Sequence, residues 1–127
     1  MPKGMITMGV EFVMPDIHWA IIVIACCFML LDLATGFAQA VVNKCVDSSK
    51  MKTGLMHKCG FLLAIILGML CEYAMNYIDL GFTMPIQDAV CLFIILTEVI
   101  SNLENLGKIS PELANAKFMD IFKRKGE

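Results

Sequence analysis

The stretch Ile17 to Val42, IHWAIIVIACCFMLLDLATGFAQAVV, carries one formal charge, Asp32. An α-helix rises about 1.5 Å per residue, so roughly 20 residues cross a hydrocarbon core of about 30 Å. This stretch is long enough to span with tilt. His18 and Trp19 stand at its start, where amphipathic rings favour the headgroup region, and His18 reads as a solvated interfacial histidine. The stretch is too long for the roughly 7–15 apolar residues of a signal peptide, so it is expected to stay in the protein.

Two further apolar blocks follow. Cys59 to Leu80, CGFLLAIILGMLCEYAMNYIDL, carries Glu72 and Asp79 toward its end. After the turn GFTMP, Pro85 suits the entry of a third helix near Ile86, because its missing N–H costs nothing there. The third block, Ile86 to Leu106, is diluted by Asp88, Glu98, Asn102, Glu104 and Asn105. Gly107 offers a C-cap and Pro111 blocks continuation. The expected architecture is an all-α integral membrane protein. It has an N-terminal segment 1–16, a membrane domain 17–106 with spans at about 17–42, 59–80 and 86–106, and a charged cytoplasmic tail 107–127.

The composition agrees. Of the 127 residues 58% are hydrophobic and the mean hydropathy is +0.74, above the roughly 45–50% apolar content of soluble chains. The net charge of −2 and the absence of basic residues interleaved with aromatics give no nucleic-acid footprint. Cys26, Cys27, Cys71 and Cys91 lie inside apolar blocks, where thiols behave as small hydrophobes, and all six cysteines are expected to be free. Cys45 and Cys59 have no CxxC spacing or nearby histidine pair to build a metal site. No phosphate loop, nucleophile elbow or zinc-protease motif is present. The reading is therefore of a protein that is no enzyme and holds no metal or cofactor.

Lysine placement sets the expected orientation. Lys44, Lys50, Lys52 and Lys58 lie between the first two blocks, and Lys108, Lys117, Lys123, Arg124 and Lys125 follow the third. Between blocks two and three stand Asp79 and Asp88 with no Lys or Arg, and the N-terminal segment has only Lys3. The positive-inside rule then puts the N-terminus outside and the C-terminus inside, which takes three crossings. Lipid headgroups could also engage the loop lysines, but topology alone accounts for them.

A charged side chain at membrane depth costs about 2.5–3.5 kcal/mol on insertion scales, so the polar residues inside the blocks need a reason. Asp32, Thr35, Gly36, Gln39 and Asn43 fall along one helical face, as do Ala64, Gly68, Glu72, Asn76 and Asp79, and so do Glu98, Ser101, Asn102 and Asn105. Two readings stay open. The stripes either glue the helices together or line a water-filled lesion in an oligomer. The cationic partners that would make the carboxylates a proton relay are expected to be missing from the spans.

Three segments together resemble the toxin-secretion and phage-lysis holins of Gram-positive phages. They are Asp32-Leu33-Ala34-Thr35-Gly36 with Ala40; Ser48-Ser49-Lys50-Met51 with Gly54 and Lys58; and Glu98-Val99-Ile100-Ser101-Asn102-Leu103-Glu104-Asn105 with Gly107 and Pro111. The resemblance covers roughly residues 20 to 115 and leaves the second span least matched. It implies a multi-pass protein of the bacterial cytoplasmic membrane that forms a homo-oligomer among membrane lipids and opens lesions through which an endolysin escapes. An antiholin is a further partner of such proteins, and Met5 would be a second start. Two alternatives stand beside this one: a small ion channel or transporter subunit, and an antiholin or membrane assembly component.

Overall fold

The computed structural model describes residues 17–115 and a short antiparallel pairing of Ile6–Thr7 with Val10–Glu11. Three long helices dominate: α1, Trp19–Val42; α2, Ser48–Met75; and α3, Ile86–Ile109. A single turn, α4, Pro111–Ala114, follows. All three long helices are long and apolar enough to cross a membrane.

The end of α1 is fixed by backbone geometry. Asn43 is the C-cap, the Lys44 N–H bonds the Val41 carbonyl at 3.2 Å, and the Cys45 N–H reaches the Ala40 carbonyl at 2.9 Å. This is the Schellman pattern, whose C′ residue adopts left-handed backbone. That residue is Lys44, at φ 55°, a conformation glycine adopts more readily.

The second helix begins well before the apolar block at Cys59. Asp47, in extended conformation, accepts the Ser49 N–H at 2.9 Å and caps the first turn. From there Lys, Met and Leu are good helix formers, so the polar run from Ser48 winds continuously into the apolar one. Lys50, Lys52 and Lys58 are thus helical residues rather than loop residues. The helix ends at Met75, short of Leu80. Asn76 is its C-cap, and Gly81, at φ 76° with its N–H bonded to Asp79 Oδ1 at 2.8 Å, makes the turn.

The third helix begins at Ile86 behind Pro85, as expected, and runs through Gly107 to Ile109 rather than stopping at Leu106. Pro111 sets this end. Its ring disfavours helical backbone at the preceding residue, and Ser110 is extended at φ −130°, ψ 107°.

α3 packs most extensively on α1, less on α2, and α1 and α2 touch each other least. The buried positions of α3, Gln87, Cys91, Ile94, Glu98 and Asn102, form one stripe at the spacing of a single helical face. Ala25, Met29, Ile65, Cys91 and Ile94 make the apolar core. Large apolar side chains such as Leu30, Leu63, Leu67 and Phe93 remain exposed, the pattern expected when lipid, not water, surrounds the bundle. At the other end from the α1–α2 turn, His18 Nδ1 lies 2.8 Å from Asp88 Oδ1 and ties the start of α1 to that of α3.

Candidate functional site: a charge cluster shared by three helices

Each long helix contributes one ionisable side chain to a common centre. Lys58 of α2 donates to Asp32 Oδ2 of α1 at 2.7 Å, and to Glu98 Oε2 and Oε1 of α3 at 2.9 and 3.1 Å. Asp32 and Glu98 stand near the middle of their helices. The side chains of Lys58, Asp32 and Glu98 are only 9%, 13% and 3% exposed. The cluster has a formal charge of −1 (one Lys, one Asp, one Glu).

Neutral donors complete it. Ser101 Oγ donates to Asp32 Oδ1 at 2.6 Å, and Asn105 Nδ2 donates to the same oxygen at 2.9 Å. Thr35 Oγ1 donates to Asn102 Oδ1 at 3.1 Å, while Asn102 Nδ2 reaches the Glu98 carbonyl at 2.7 Å and the Phe28 carbonyl at 3.2 Å. Every polar side chain of this cluster is partnered, which is what permits a buried polar network to persist. Gly36 faces Asn105: a Cβ there would lie 3.5 Å from Asn105 Nδ2, an ordinary contact distance.

Of the stripe residues, Asp32, Thr35, Gly36, Glu98, Ser101, Asn102 and Asn105 meet in this seam. Gly68 and Glu72 serve the opposite end of the α2–α3 contact. A Cβ on Gly68 would lie 3.4 Å from Gln87 Cα, and Glu72 Oε1 accepts the Gln87 N–H at 3.1 Å. Glu72 thereby satisfies one of the free donors at the start of α3 and complements its dipole. Gln39 and Asn76 stand apart. Gln39 accepts from Asn43 Nδ2 at 3.3 Å, and Asn76 is the exposed C-cap of α2.

The lysines divide as well. Lys44 is the left-handed residue of the α1 cap, Lys50 and Lys52 are exposed on the first turns of α2, and Lys58 is buried. Lys123, Arg124 and Lys125, and with them Lys3, Met5 and Lys117, lie outside the described residues. The expectation that the spans hold no cationic partner is corrected by Lys58. With α2 beginning at Ser48, Lys58 lies two and about three helical turns before the buried Ile65 and Gly68 on the same face.

A model of the bacteriophage holin family matches residues 10–123. The chain belongs to that family. No curated protein and no solved structure shows a match. This holin family member is a multi-pass membrane protein in which three helices long and apolar enough to cross a membrane turn polar residues toward one another in a shared seam.

Proposed function

We propose that this chain is a lesion-forming holin: it lies N-terminus out and C-terminus in within the bacterial cytoplasmic membrane, self-associates, and opens lesions that release an endolysin. Family membership supports the class. The observation that carries the mechanism is the Asp32–Lys58–Glu98 cluster, one residue from each helix, inside a bundle whose outer face is apolar.

In a single chain the seam's polar groups are paired with one another, so helix packing describes it. Its charges are held at a depth where an unpaired charge is costly. When many copies associate, the same residues gain an alternative, which is water in a common lumen. The stripes then act as packing surfaces before triggering and as wetted surfaces after it. The small contact between α1 and α2 makes the opening of that side the least disruptive rearrangement.

The test is induced expression in a bacterium with and without a co-expressed endolysin, while membrane potential and culture density are recorded. The expected outcome is an abrupt loss of potential at a fixed time, with lysis only when the endolysin is present. Ion-selective conductance without killing would instead support a channel subunit. Delay of another holin's lysis, without lethality of its own, would support an antiholin.

A further inference from the structure

Beside the cluster a groove of about 550 Å³ opens between α1, the first turns of α2 and α3, within the roughly 300–1,000 Å³ of small-ligand sites. Its walls are mainly apolar, from Phe37 of α1 and from Met51 and Leu55 of α2, with Asp32 at the deep end and Asp47, Lys50 and Lys52, together a net charge of +1, toward the N-terminal end of α2. From Lys50 to the level of Lys58 the helix rises about 12 Å, so the groove runs from the membrane surface toward mid-depth.

The chemistry of the two ends differs. At the deep end three of the roughly four acceptor sites of Asp32 are already taken: Oδ1 accepts from Ser101 and Asn105, and Oδ2 accepts from Lys58, which also supplies the counter-charge. At the outer end neither Lys50 nor Lys52 has an ion-pair partner among the described residues. Asp47 is engaged with the Ser49 N–H. The 28-residue helix α2 also directs the positive end of its dipole there. A ligand that fits has an anionic head and an apolar chain.

We infer that this groove binds one anionic phospholipid, its phosphate at Lys50 and Lys52 and an acyl chain along Phe37, Met51 and Leu55. A second copy's helix would fill the apolar walls but leave both lysines without a counter-charge. The inference requires only that the chain spans a membrane, and it holds whether or not the lesion-forming reading does.

Gly54 supplies the decisive variant. It lines the groove, and a Cβ built on it meets nothing within 4 Å, so Gly54→Trp fills the space without touching any charge. The purified, delipidated full chain is mixed with phosphatidylglycerol or phosphatidylcholine and bound lipid is counted by native mass spectrometry. Wild type and Gly54→Ala should retain one phosphatidylglycerol and little phosphatidylcholine. The exposed pair Lys50→Gln/Lys52→Gln should bind phosphatidylglycerol about 30-fold more weakly, with helicity by circular dichroism unchanged. Gly54→Trp should lose the bound lipid with its lysines intact. Three results would overturn the inference: equal retention of phosphatidylcholine, unaltered phosphatidylglycerol binding by Gly54→Trp, or loss of self-association rather than of lipid in Gly54→Trp.

Discussion

At the scale of single residues the two kinds of polar contact in the seam differ in size. Neutral hydrogen bonds between membrane helices average about 0.6 kcal/mol, because the unfolded chain also finds partners in the bilayer. Removing one member of a buried ion pair leaves an uncompensated charge and costs about 3–5 kcal/mol. Lys58→Met should therefore destabilise the bundle more than Thr35→Val, which loses the hydroxyl that donates to Asn102 Oδ1 and the Asp32 carbonyl and accepts from Asn105 Nδ2. Titrating micelle-bound protein with a denaturing detergent and following helicity measures both. The triple variant Asp32→Leu/Lys58→Met/Glu98→Leu should recover much of the loss, since apolar replacement of a whole buried ion cluster is often neutral. Equal effects of Lys58→Met and Thr35→Val would show that the lysine carries no special weight. Lys58 also marks where sequence reading stops. The polar stripes of α1 and α3 were legible because each lies inside one apolar block and repeats at helical spacing. Lys58 lies outside its block, where a lysine reads as a loop charge, and only the continuation of α2 into Ser48 turns it inward.

At the scale of elements, hydropathy located what is apolar, not what is helical. The two coincide at the N-terminal end of α3, where Pro85 stands at the boundary. They part at α2, whose first ten residues mix Ser, Lys, Thr and His with Met and Leu yet are helical behind the Asp47 cap. They part again at Gly107, where a glycine that could have ended α3 is passed over and Pro111 sets the stop instead. Two predictions belong here. Lys44→Gly should stabilise the α1 end by about 0.4–1 kcal/mol, since glycine takes the left-handed cap without side-chain strain; unchanged stability in the same detergent titration would count against the strained-cap account. Gly68→Ala places its methyl at ordinary contact distance from Gln87 and should be tolerated. Gly68→Leu must displace the α3 backbone and should cost about 1–3 kcal/mol. The difference between the two variants, not either alone, isolates the close approach of α2 to α3.

At the scale of the whole molecule the burial of Lys58 revises the charge asymmetry that orients the chain. It removes one of the four lysines first counted between the apolar blocks, because the positive-inside rule concerns charges near the membrane ends, not a paired charge at depth. Lys44, Lys50 and Lys52 remain on that side, exposed, against Asp79 and no basic residue in the α2–α3 connection. The bias survives, and with it the proposed orientation, in which the α1–α2 turn and the end of α3 share the cytoplasmic face. Cys45 offers a direct check, being exposed in that turn. A variant keeping Cys45 alone, with the other five cysteines replaced by serine or alanine, should react with a membrane-impermeant maleimide only after the cells are permeabilised. A cysteine placed at Asp79 in a cysteine-free chain should react in intact cells before any lysis. Replacing Lys44, Lys50 and Lys52 by glutamine should leave the labelling of Cys45 unchanged if the basic residues after α3 suffice to hold the orientation. Adding replacement of Lys108, Lys117, Lys123, Arg124 and Lys125 should produce a mixed or inverted population. Labelling of Cys45 in intact, unlysed cells would reverse the orientation and put the cationic groove mouth on the outer leaflet.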